Sequence, residues 1–239
     1  MQSVILTTGL ELNLKSKKKT KKMGKEFQIN VAALKSQLLQ RRSTRPRFKW
    51  DFTKDAAADI LLAAYMAEVE HRGREFVDDP RLRVCIAKTA NHVTEGKKFG
   101  LMFCGTCGNG KTTLLLALRA ATNYLNSCKL LDPEMQLRIY DAKDIAQMSS
   151  DWDKFKTIRS VPVLAIEDMG REPAEVMSYG NITNPLVDLL EYRYAELLPT
   201  IITTNLTAKQ IREKYGVRIA DRFNEMIDVV IFQSGSYRK

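Results

Sequence analysis

Along this 239-residue chain the spacing of apolar positions changes several times, and each change marks an element. In residues 29–42 (INVAALKSQLLQRR), Val31, Leu34 and Leu38 recur at helical spacing and predict a helix with one apolar stripe. Asp55 to Glu70 and Pro80 to Glu95 read as two further amphipathic helices. From Phe99 the pattern shifts to short apolar runs. Phe99 to Cys104 (FGLMFC) suits a buried strand, and Thr112 to Leu125 (TTLLLALRAATNYL), without Gly or Pro, suits a helix. Leu137 to Asp141 (LRIYD) predicts a strand and Lys143 to Ile158 a helix. Val161 to Gly170 (VPVLAIEDMG) is an apolar run ending in two acids. Asn184 to Leu198 predicts a helix and Pro199 to Asn205 (PTIITTN) a β-branched strand. LTAKQIREKY and VRIADRFNEM read as two short helices, and Asp228 to Phe232 as a last strand. Strands alternating with helices predict an α/β fold: a parallel five-stranded sheet with helices on both faces.

Ligands of such sheets bind at the carboxyl ends of the strands. The segment GTCGNGKTT falls there, comprising Gly105, Thr106, Cys107, Gly108, Asn109, Gly110, Lys111, Thr112 and Thr113. It fits the spacing G-x-x-x-x-G-K-[ST] of a phosphate-cradling loop and lies in the required order of strand, loop and helix. Glycines let the backbone approach phosphate oxygens, and successive N–H groups at the helix start favour an anion. Lys111 then reaches the β- and γ-phosphates of ATP, and Thr112 offers a hydroxyl to Mg²⁺. Glu167 and Asp168 end a strand beside the same site; a phosphoryl-transfer centre needs a carboxylate for the metal and a group to orient water. Both acids can serve if the strand alternation breaks there. Asn205 ends the next strand and can hold water or the γ-phosphate. Arg218 and Arg222, four apart, share one face of a short helix. They are candidates for stabilising transition-state charge at a neighbouring subunit's site, or a surface pair bonded to Asp221 or Glu225.

Charge divides the chain. Residues 1–50 carry 13 of the 38 Lys and Arg but 2 of the 28 Asp and Glu, a net +11; the remainder carries 25 and 26, a net −1. The block KSKKKTKK cannot bury itself, so residues 1–26 are expected to be a basic disordered tail. It would hold phosphate backbones weakly, or be a solvated tail, or precede an internal start at Met23. Residues 27–54 are expected to form a helix and a basic, aromatic link (STRPRFKWDF). There Arg45, Arg47, Lys49 and Trp50 suit a single nucleic-acid strand, while Phe48, Trp50 and Phe52 suit packing, the reading favoured for the aromatics. Residues 55–239 are expected to be the nucleotide-binding domain. Cys104 and Cys107 form a C-x-x-C, but no second Cys or His pair stands at a zinc spacing, and Cys85, Cys104, Cys107 and Cys128 read as free thiols. No apolar run reaches a membrane span and no signal-peptide order opens the chain, so a cytoplasmic protein is expected.

Together, GTCGNGKTT, LAIEDMG, TIITTNL, YGVRIADRF and the terminal SYR resemble the DnaC/IstB group of AAA+ ATPases, over roughly Asp55 to Lys239. The stretch EVMSYGNITNPLVDLLEYRYAELLPTIITTNL is similar to DnaC-like proteins of mobile elements and phages. The resemblance implies a P-loop AAA+ core and an ATPase of DNA replication. Residues 105–113 would be Walker A, Glu167 (with Thr112 toward Mg²⁺) and Asp168 the Walker B acids, and Asn205 the γ-phosphate sensor. Arg218 would be the arginine finger acting in trans, assisted by Arg222, and Arg238 a second sensor. It implies an ATP-dependent homo-oligomer that loads a replicative helicase onto single-stranded DNA, or, in an IstB-like helper, one that serves a transposase. The Glu-then-Asp order reverses the usual Walker B pair and implies slow, partner- or DNA-stimulated hydrolysis, or a non-hydrolysing ATP-gated clamp. Seven residues follow the last strand, too few for the helical lid of fuller AAA+ proteins. A P-loop kinase, another alternative, would need an acceptor pocket and a lid and would not need Arg218.

Overall fold

The structure, a computed structural model, describes residues 30–41, 47–174, 176–178, 181–233, 235 and 237. The basic tail, Arg45 and Arg238 lie outside these. By its internal contacts the chain divides into residues 1–44 and 45–239. In the first unit the described element is helix α1, Val31–Arg41.

The second unit begins with helices α2 (Lys54–His71) and α3 (Pro80–Thr94). Each has a local start signal: the Thr53 hydroxyl accepts from the Ala56 N–H, and the Asp79 carboxylate accepts from the Arg81 N–H with Pro80 behind it. The remaining elements are β1 (Gly100–Gly105), α4 (Lys111–Ser127), β2 (Leu137–Asp141), α5 (Ala142–Met148), α6 (Trp152–Arg159), β3 (Val163–Met169), β4 (Val176–Ser178), β5 (Asn181–Thr183), α7 (Pro185–Ala195), β6 (Thr200–Thr204), α8 (Ala208–Met226) and β7 (Ile227–Phe232).

β2, β3, β6, β1 and β7 lie in that order in one parallel sheet. All five expected strands are there, and the first in sequence is enclosed by two of the last. The alternation of strand side chains sorts them between two cores. Leu101, Phe103, Val163, Ala165, Ile201, Val230 and Phe232 face one, shared with α2, α3 and α4. Met102, Leu164, Ile166, Ile202 and Ile227 face the other, shared with α5 to α8. The central strands β1, β3 and β6, buried on both faces, read as continuous apolar runs, which is why they were visible in sequence. Phe48 and Trp50 are buried in the first core at 4% and 2% exposure, so these aromatics are packing groups.

Three local features differ from expectation or refine it. The single helix expected over residues 143–158 is two, because the hydroxyls of Ser149 and Ser150 bond back to the carbonyls of Ala146 and Gln147, and Asp151 caps a new start. The two short helices expected after Asn205 form α8 with a break at Gly216, whose φ of 86° and ψ of 164° suit glycine. A small antiparallel hairpin, β4–β5, was not anticipated: three-residue strands carry no period to read.

Candidate nucleotide site

The carboxyl ends of β1, β3 and β6 meet one cavity of about 640 Å³. β1 ends at Gly105, and α4 starts at Lys111 with Gly110 as its cap, in a left-handed conformation (φ 95°) and without a side-chain cap bond. The first-turn amides of α4 therefore have no capping side chain, as an anion site at a helix start requires. Gly110 is required sterically too, because a Cβ there would sit 2.5 Å from the Tyr65 hydroxyl. The Lys111 ammonium is buried within the loop, donating to the carbonyls of Gly105 (2.8 Å) and Thr106 (2.7 Å) and to Asn109 Oδ1 (3.1 Å). The Asn109 amide in turn donates to the carbonyl of Phe232, tying the loop to β7. Asn109 thus serves the loop by holding its shape.

The acids sit on an irregularity. Ile166 pairs with Ile202 and Met169 with Thr204, so Glu167 and Asp168 together oppose Thr203. This bulge breaks the strand alternation, as a double role for adjacent acids demands. Asp168 has a φ of 54°, and its N–H donates to Thr203 Oγ1 at 2.8 Å. The Asp168 carboxylate lines the cavity and meets the Arg171 guanidinium at 2.6 Å. Glu167 is half-buried, lies opposite Asp141 in the β2–β3 register, and is not part of the cavity wall. Asn205 lines the cavity, and its amide approaches Cys107 Sγ at 3.6 Å.

Of the residues singled out from sequence, Cys107 to Thr113, Asp168 and Asn205 therefore share one wall, with Gly105 and Thr106 just behind it. The donor set fits a magnesium-bound nucleoside triphosphate: backbone amides and Lys111 for phosphate oxygens, Thr112 and a carboxylate for the cation.

No family model and no curated protein sequence matches the chain. Solved structures do. DnaI matches with a TM-score of 0.50 and 25% identity, over 69% of this chain and 87% of that one. The DnaC helicase loader matches with a TM-score of 0.51 and 21% identity, over 66% of this chain and 93% of that one. By fold, the chain is similar to these DnaI and DnaC structures, with a P-loop AAA+ core of five parallel strands flanked by helices.

Arg218 and Arg222 lie away from the cavity, on α8. Both reach Glu191 of α7, at 3.2 Å and 2.9 Å, rather than Asp221 or Glu225. Arg222 also stacks on the Tyr194 ring and is largely covered, whereas the Arg218 side chain is 72% exposed. Arg218 is thus the one of the pair with its surface turned to solvent.

Sequence reading missed one side of the cavity, formed by Tyr65, Val69, Arg72, Arg74, Phe76 and Tyr237. These come from α2, from the link before α3, and from the C-terminal segment. Burial pushes the Tyr65 hydroxyl up to about 12, with Tyr237 nearby adding to it, so Tyr65 is a neutral group here. The signal that was available is RGREF (residues 72–76), two arginines around a glycine turn directly after a helix. Arg171, which touches Asp168, was also missed, though it directly follows the strand-ending EDMG.

Proposed function

We propose that this chain binds and slowly hydrolyses ATP with Mg²⁺, and that it acts as a homo-oligomer loading a replicative helicase onto single-stranded DNA. The observation that carries the reading is the convergence of Lys111, Thr112, Asp168 and Asn205 on one cavity beside an uncapped helix start. The likeness to DnaI and to the DnaC helicase loader supports the choice of task.

In this reading the amides of residues 108–112 and the Lys111 ammonium hold the phosphates. The aromatic side of the cavity, Tyr65, Phe76 and Tyr237, takes the base. Bound Mg²⁺ would neutralise phosphate charge, with Thr112 as its protein partner on the cavity wall; Glu167, expected beside it from sequence, lies off that wall. Asp168 accepts the proton of the attacking water, and Asn205 orients that water against the γ-phosphate. Arg218, exposed on α8, reaches the same phosphate of a neighbouring subunit and stabilises the charge that develops there.

A second reading, an ATP-gated clamp without turnover, draws on the ion pair that occupies the Asp168 carboxylate. Isothermal titration with ATP, followed by phosphate release with and without single-stranded DNA, tests both. Binding without release at any DNA concentration selects the clamp, and absence of binding by the wild-type chain removes both readings.

A further inference from the structure

Arg171 is a cation at the phosphate end of the cavity to which no role has yet been given. It lines the same wall as Lys111, Thr112, Asp168 and Asn205. Its guanidinium donates to Asp168 Oδ2, and Asp141 and Cys107 lie within electrostatic reach. The side chain is 56% exposed, so nothing but Asp168 fixes its head group among the described residues.

Its backbone, by contrast, is fixed on both sides. The Arg171 N–H closes a turn onto the Asp168 carbonyl. The Gly170 N–H donates to Glu172 Oε2 at 2.8 Å. Lys214 of α8 donates to the carbonyls of Gly170 and Glu172, both at 2.7 Å, and pairs with the Glu172 carboxylate at 3.0 Å. The Tyr215 hydroxyl donates to Glu172 Oε1, the oxygen that Lys214 also meets, and the Glu172 side chain is 1% exposed. A buried Glu–Lys–Tyr cluster is weak evidence for stability, because desolvation offsets its attraction. What this one does visibly is hold the turn that carries Arg171. The result is a long cationic arm on a rigid pivot beside the phosphate loop.

We propose that Arg171 reads the γ-phosphate in cis. Its guanidinium exchanges the Asp168 carboxylate for the terminal phosphate of a nucleoside triphosphate, and the exchange frees Asp168 for the attacking water. This rests on the nucleotide site proposed above. The exchange favours the triphosphate, because a terminal phosphate offers the planar fork two acceptor oxygens where one carboxylate oxygen is used now, a net gain of one charge-assisted bond. A diphosphate has no terminal group at that position, so the ion pair to Asp168 stays closed and the site stays idle.

The test is isothermal titration of the full chain with Mg²⁺ and either ADP or a non-hydrolysable ATP analogue, on wild type, Arg171→Ala and Arg171→Lys. Arg171→Ala is expected to weaken the analogue about tenfold, the worth of one charged hydrogen bond, and to leave ADP within about twofold. Arg171→Lys, a point charge without the fork, falls between. Equal losses for both nucleotides, or no loss for either, overturn the proposal. A wild-type chain that binds neither nucleotide overturns the site itself, and that result is read before any variant is made. The exposed position keeps the variants folded, which thermal melting verifies.

Discussion

The backbone N–H of Tyr237 donates to the carbonyl of Gly108 at 2.9 Å, so the C-terminal segment is tied directly onto the phosphate loop. The same residue is held from a third place in the chain: Arg74 donates to its carbonyl at 3.1 Å, and its hydroxyl donates to Asp79 at 2.7 Å. Three distant segments thus make one wall. Tyr237→Phe, which removes one hydrogen bond, is expected to weaken ATP binding by about twofold to tenfold, and Tyr237→Ala to weaken it further. Isothermal titration reads both, and unchanged affinity in Tyr237→Ala would show the wall to be dispensable.

Arg218 and Arg222 share the Glu191 carboxylate but differ in exposure. Arg218→Ala is expected to leave ATP affinity within about twofold and to lower turnover by about a thousandfold, the scale of a lost arginine finger. Mixing it with Asp168→Asn, itself inactive, should restore part of the turnover, since an intact arginine then faces an intact acid across the subunit boundary. Mixtures no more active than their components would place the arginine's role within one subunit.

Gly216 divides α8 at a backbone conformation that side chains with a Cβ rarely adopt, although a Cβ there would meet nothing within 4 Å. The cost of Gly216→Ala is therefore conformational alone, on the order of 1–3 kcal/mol. Chemical denaturation gives its size. Because the break sits between Lys214 and Arg218, turnover should fall more than ATP affinity does.

His92 is buried, and burial holds its imidazole below the usual 6.5 despite the Asp228 carboxylate 2.7 Å from Nδ1. Above 6.5 the ring is neutral both folded and unfolded, and its contribution to stability is complete. As pH falls below that value the unfolded chain takes up the proton first, and stability declines toward the lower folded pKa. Melting temperatures measured between about pH 7.5 and about pH 5.5 should drop, and His92→Gln should flatten part of that slope.

Much of this was legible in the sequence, for identifiable reasons. The central strands β1, β3 and β6 are buried on both faces and so appear as apolar runs, and the phosphate loop has a spacing that few other structures impose. Helix starts such as Asp79-Pro80 and Asn184-Pro185 carry their own caps. What escaped depends on contacts between distant positions. Tyr65, Arg74 and Tyr237 acquire a role only when α2 and the C-terminal segment meet the loop. The bulge at Glu167 and Asp168 arises from pairing with Thr203, which no local pattern announces, and Arg171 becomes meaningful only beside Asp168. The break at Ser149 and Ser150 was visible in principle, as two adjacent hydroxyl residues before an Asp.

The central claim is an ATP-dependent grip on a replicative helicase. It is tested most directly by using the tagged wild-type chain and its Lys111→Ala variant to capture partners from source-cell lysate with Mg·ATP, read by mass spectrometry. The account predicts that the wild-type chain recovers the replicative helicase and that Lys111→Ala, unable to hold ATP, does not. Recovery of a transposase in its place, or of the helicase equally by both proteins, would contradict it.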